Sequence, residues 1–133
     1  KPVFEVDVLS KKDGEVKKIV KQRGQLIEKN DVIIIKTSGY LNNVGGEKIS
    51  EACYSEIDKG KKYFLLDLEN SKVVNSIGVS ILIEIIEKLQ EVDGKLGYYN
   101  LAPIVSKTFK IMGISSYSEL YENETEALTG IVS

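Results

Sequence analysis

Residues 63–89 set two hydrophobic periodicities back to back, and few folds accommodate that arrangement. Residues 63–68, YFLLDL, form a short apolar run that opens on an aromatic. Gly60-Lys61-Lys62 bounds it on one side and Glu69-Asn70-Ser71-Lys72 on the other, which is the pattern of a buried strand. A second apolar pair, Val73-Val74, leads to Asn75-Ser76, and there the spacing changes. From Gly78 onward Val79, Leu82, Ile86 and Leu89 recur every three or four residues, with Ile83 and Ile85 widening the stripe, so a helix follows. Ser76 falls where a strand-to-helix loop meets a helix N-terminus. Such a position offers unpaired backbone N–H groups and the positive end of the helix dipole.

The flanking segments repeat the alternation. Residues 32–37 carry a continuous Val32-Ile33-Ile34-Ile35 run that reads as a central strand, forming a hairpin with residues 25–28 across Lys29-Asn30-Asp31. Ser38-Gly39-Tyr40-Leu41-Asn42 is a turn, and residues 44–59 put Ile49, Ala52, Cys53 and Ile57 on one face of a helix that ends near Gly60. Gly45-Gly46 lacks the Lys-Ser/Thr of a phosphate-binding loop and marks the helix start. Beyond Asp93-Gly94-Lys95, residues 96–101 read as a strand centred on Tyr98-Tyr99, with one ring expected in the core and the other on a surface. Pro103 opens a helix whose core-facing set is Ile104, Val105, Thr108, Phe109 and Met112, up to Gly113. Leu120-Tyr121 is a short strand, and Asn123, three residues before Glu126, caps a last helix through Leu128. The whole predicts an α/β single domain, a mixed and largely parallel sheet with helices packed on it.

Residues 1–31 hold eight Lys or Arg against six Asp or Glu, whereas 32–133 hold ten against fourteen, a shift that sets the N-terminal part apart. Alternating Phe4, Val6 and Val8 with a turn at Asp13-Gly14 predict a β-hairpin there; a helix over residues 14–22 is the competing reading. Residues 1–24 are accordingly expected to form an extra arm or hairpin outside a main domain of residues 25–133.

Several function classes are closed to this composition. A net charge of −2 without a basic stripe gives a nucleic acid nothing to hold. With no histidine and one cysteine, a zinc site would need carboxylates alone, and His-dependent triads are unavailable. Cys53 has no partner for an internal disulfide, which fits a reducing compartment, and on an apolar helix face it reads as a core residue. No apolar run approaches the ~20 residues of a membrane span. The acidic cluster Glu119, Glu122, Glu124 and Glu126 has no nearby base and reads as a solvated face. The chain opens at Lys1 and not at Met, as a piece of a longer protein would.

Leu66-Asp67-Leu68 followed by Val74-Asn75-Ser76-Ile77-Gly78-Val79 closely resembles the phosphorylation segment of STAS domains, and the resemblance runs over residues 25–131. That module is shared by bacterial anti-sigma-factor antagonists and the cytoplasmic tails of sulphate transporters. In the antagonists the pattern is a hydrophobic residue, Asp, Ser, Ser or Thr, Gly, and the first Ser is phosphorylated by a partner kinase. The resemblance makes Ser76 that residue; without it, Ser76 reads as a helix N-cap. Asn75 stands at the family's acidic position, and in Gly39-Tyr40-Leu41-Asn42 the loop's Asp is replaced by Asn42, so the loop is less negative than the pattern.

The resemblance implies a non-enzymatic cytoplasmic regulator of transcription with no cofactor and with oligomerisation open. It would bind a serine kinase or anti-sigma factor through Tyr40, Asn42, Asn75, Ser76, Ile77, Gly78 and Val79, with a phosphatase to reverse the modification. A STAS scaffold that is never phosphorylated, a regulatory tail or a ligand sensor, is the alternative.

Overall fold

The computed structural model describes residues 4–12, 19–22, 25–28 and 31–132. Within them the strands β1 (Glu5–Lys12), β4 (Asp31–Ser38), β5 (Tyr63–Asn70), β6 (Lys95–Tyr99) and β7 (Glu119–Tyr121) form one five-stranded sheet in the order β1-β4-β5-β6-β7. The pairs β4–β5, β5–β6 and β6–β7 are parallel, and β1 is antiparallel to β4. A separate antiparallel ribbon joins β2 (Ile19–Gln22) to β3 (Gln25–Glu28). The helices are α1 (Asn43–Ile57), α2 (Ser76–Glu91), α3 (Pro103–Met112) and α4 (Glu124–Ile131). This is the expected mixed, mostly parallel α/β architecture.

The strand pairing at the N-terminus differs from the expected two hairpins. Residues 25–28 pair with β2 and not with β4, and β1 takes β4, from Glu5↔Ser38 to Lys12↔Asp31. β1 and β4 are each eight residues long and pair along their full length, as the two four-residue strands β2 and β3 do with each other. Of the helix read over residues 14–22, Ile19–Gln22 is strand. The turns at Asp13-Gly14 and Lys29-Asn30 lie outside the described residues.

Alternation along the central strands sorts their side chains into two cores. Ile33, Ile35, Phe64, Leu66, Leu68 and Tyr98 join the residues of α1, α2 and α3, whereas Val32, Ile34, Leu65 and Tyr99 meet Ala127, Leu128 and Ile131 of α4. Both faces being covered, the central strands are apolar at nearly every position. That also corrects the reading of the tyrosine pair, since Tyr98 and Tyr99 are both buried, on opposite faces. Tyr98 meets the Phe109 ring edge-on at 4.9 Å. Ser118 Oγ donates to the Ile114 carbonyl, at 2.7 Å, and so accepts from the Tyr98 hydroxyl at 2.6 Å. The Tyr99 hydroxyl donates to Glu124 at 3.2 Å. Burial, and then the charges of Asp67 and Glu124, hold the Tyr99 hydroxyl protonated far above the usual tyrosine range. In α3, Val105 and Phe109 are buried as expected, but Ile104 is not; 59% of it is exposed, because the core lies on the 105/109 side of this short helix.

Phe4 reaches back into the larger core. An added Cβ on Gly45 would come within 2.7 Å of its ring, so the glycine is what lets the ring lie against the start of α1. Lys48 Nζ donates to the Phe4 carbonyl at 2.9 Å. We propose that residues 1–24 are nonetheless an addition to a unit that folds from residue 25, covering the edge of β4 with β1 and filling one core position with Phe4. Deleting residues 1–24 should leave a cooperative urea transition at lower stability, and Phe4→Ala alone should cost about 3–5 kcal/mol. A truncated chain that is unfolded by circular dichroism would make β1 part of the folding unit.

Candidate functional site

The loops that leave β4 and β5 at their C-terminal ends are tied to each other. Gly39 N–H donates to the Asn70 carbonyl at 3.0 Å, Leu41 N–H to Val73 at 2.9 Å, and Asn75 N–H to Leu41 at 3.1 Å. Leu41 and Val74 form a parallel bridge just past the strand ends, with the Leu41 side chain buried in the larger core. One loop starts α1 and the other α2, so both helices begin at this edge.

Each helix is capped by an asparagine. Asn42 Oδ1 accepts from Gly45 N–H at 3.1 Å, and Asn75 Oδ1 accepts from Gly78 N–H at 2.8 Å. The reading of Ser76 as a cap is therefore corrected: Asn75 does that work, and Ser76 is the first residue of α2. Its carbonyl accepts from Ser80 Oγ at 2.9 Å, while its exposed hydroxyl has no hydrogen-bond partner among the described residues.

Gly78 leaves no open space behind Ser76. It is buried, and a Cβ there would lie 2.4 Å from the Leu41 carbonyl oxygen, so glycine is required for the first turn of α2 to settle on the neighbouring loop. Val79 is fully buried in the core. Gly78 and Val79 thus shape the edge from beneath without presenting a surface. The residues that do face outward are Ser76 with Tyr40, Val44, Val73 and Ile77, the last four being large apolar side chains about half exposed, at 48–55%. Asn42 and Asn75 are half-buried.

Neither helix has an acidic residue in its first turn, so the two N-terminal dipoles at this edge are not offset by carboxylates there. A buried carboxylate lies behind the loops. Asp67, buried near the end of β5, accepts from Glu69 N–H and from Asn100 Nδ2, both at 3.1 Å, and pairs with Lys36 at 3.6 Å. Asn100 holds a left-handed backbone, φ 60°, at the end of β6, so one carboxylate links the ends of three strands. Reading the sequence gave Asp67 no such role. The available signal was a lone acid in an apolar strand, which needs partners to be buried. Thr37 and Ser71 add a buried hydroxyl pair at 2.6 Å. No group of three or more His, Cys, Asp or Glu able to hold a metal occurs among the described residues, and no helix among them is long and apolar enough to cross a membrane.

The site is thus the end of a mixed, mostly parallel sheet where two capped helices present an unpaired serine hydroxyl inside an apolar rim. The chain belongs to the STAS domain family, whose profile matches residues 24–127. It is 27% identical over 85 residues to a Bordetella bronchiseptica protein named a candidate anti-sigma factor antagonist, BtrV, covering 64% of this chain and 73% of that one. An anti-sigma factor antagonist from Mycobacterium paratuberculosis superposes with a TM-score of 0.70 at 19% identity, over 97% of this chain and 96% of that one. The anti-sigma factor antagonist SpoIIAA in its unphosphorylated form superposes at 0.60 and 16% identity, over 93% and 92%. The protein is thus a STAS-domain protein resembling anti-sigma factor antagonists.

The division of labour at residues 75–78 gives a stability test. In urea unfolding, Asn75→Ala should lose about 1 kcal/mol for the missing cap, and Ser76→Ala should change stability by less than about 0.5 kcal/mol. Gly78→Ala should exceed both, since the clash is with backbone. Equal losses at Asn75 and Ser76 would contradict the geometry.

Proposed function

We propose that this protein is a non-enzymatic cytoplasmic phosphoswitch: it binds a serine kinase or anti-sigma partner through the edge around Ser76 and releases that partner when Ser76 is phosphorylated. The observation that carries the reading is the Ser76 hydroxyl, exposed, relieved of capping by Asn75 and ringed by Tyr40, Val44, Val73 and Ile77. SpoIIAA, which shares the fold, has been solved in both unphosphorylated and phosphorylated forms, which supports this use of the module.

The physics of the switch follows from position. A phosphate adds about −1.5 to −2 charges and three strong acceptors. At the first residue of a helix with no acid in its first turn, that charge meets the favourable end of the dipole, so the domain stays folded. The partner, docked on an apolar rim around a neutral hydroxyl, meets charge and bulk it cannot desolvate. Asn42 and Asn75, neutral at the acidic positions of the STAS pattern, leave the loop less negative, which weakens attraction for a cationic kinase site and leaves amide N–H groups able to hold a phosphate.

Titration of wild type, Ser76→Ala and Ser76→Asp against the cognate kinase or anti-sigma factor tests the reading, with thermal melts run alongside. All three should fold. Ser76→Ala should bind like wild type and resist regulation, and Ser76→Asp should lose about tenfold or more in affinity. Equal affinities would sink the switch and assign the protein to the scaffold class.

A further inference from the structure

The most exposed large apolar side chains among the described residues do not surround Ser76. They are Ile111, Tyr117 and Ile104, exposed at 74%, 65% and 59%, on α3 and the turn that follows it. Ile104 and Ile111 are two turns apart on one side of α3, with Lys107 between them and Lys110 beside them, all exposed. Next to this face, between the second half of α2 and Tyr117, lies a groove of about 220 Å³ lined by Ile83, Ile86, Glu87, Gln90 and Tyr117. Glu84 joins Glu87 on the outer side of α2. Lys107, Lys110, Glu84 and Glu87 have no hydrogen-bond or ion-pair partner among the described residues.

One face therefore carries an apolar knob, an apolar groove, two free cations on one helix and two free anions on its neighbour. An isologous contact needs a patch that complements itself, in which each residue meets another on the second copy and is met in return. A surface for a nucleic acid or an anionic membrane would carry one sign of charge. We propose that the protein self-associates as a two-fold dimer through α2 and α3. Ile111 of each copy enters the groove beside Tyr117 of the other, and Lys110 and Lys107 face the partner copy's Glu87 and Glu84. The groove begins at Ile83, seven residues after Ser76 and roughly 10 Å further along α2, so the dimer leaves the Ser76 edge open. The inference does not rest on phosphorylation.

Two short helices bury an area at the low end of specific interfaces, so the dissociation constant should lie on the order of 10–100 µM. Sedimentation velocity over a concentration series spanning that range should show monomer passing to dimer. Each substitution acts twice across a two-fold axis, so Lys110→Glu should raise the midpoint by about tenfold or more. The swap Lys110→Glu with Glu87→Lys should return it to within about threefold of wild type, and Ile111→Ser should leave a folded monomer by thermal melt. A protein that stays monomeric throughout the series would overturn the proposal. So would a dimer indifferent to Lys110→Glu and Ile111→Ser, or a swap that restores nothing. Wild-type protein that remains monomeric but sediments with phosphatidylserine vesicles would assign the face to lipid instead.

Discussion

The seating of α2 on the Leu41 carbonyl is the contact on which the rest of this molecule depends. A side chain at residue 78 would collide with that oxygen at 2.4 Å, so the glycine lets the helix begin directly against the neighbouring loop. The same carbonyl accepts the Asn75 N–H, and Leu41 N–H returns a bond to Val73. Two loops that would otherwise be separate and mobile thus share a short continuation of the sheet. Asp67 braces the arrangement from below by joining the ends of β4, β5 and β6. On the proposed reading, the edge presented to a partner is then built on rigid elements, as a site that must discriminate a hydroxyl from a phosphate requires.

Within that frame the capping roles separate stability from chemistry. Asn42 and Asn75 each satisfy one first-turn N–H, that of Gly45 and of Gly78 respectively, through the amide oxygen and at no cost in charge. Were Ser76 the cap, its modification would break a bond holding the helix. Because it sits one position later, a modified Ser76 keeps the cap intact and adds charge where the dipole favours it. On the proposed reading, the switch changes what the surface offers and leaves the fold alone.

Much of the fold was legible in the chain. The change of period at Ser76, the apolar runs of β4 and β5 and the Asn123 cap each specify a local structure that the tertiary packing keeps. Three things were not legible, and each for a physical reason. The partner of β1 is a long-range choice between strands of similar character, which local sequence does not encode. The burial of both Tyr98 and Tyr99 follows from α4 covering the second face, which no local pattern reports. The role of Gly78 is set by a carbonyl 37 residues away in the chain, beyond the reach of any local pattern. At the site, the position of Ser76 and the family resemblance were readable, but the transfer of the cap to Asn75 was not, since Asn and Ser are both good N-caps and only the helix start distinguishes them.

The central claim is that the Ser76 hydroxyl is kept free of structural duty so that it can be modified. Phosphosite mapping by mass spectrometry, on protein purified from its own cells across several growth states, addresses it most directly. The account predicts phosphate on Ser76 in at least one state. Phosphate confined to another residue such as Ser80, or none in any state, would contradict it.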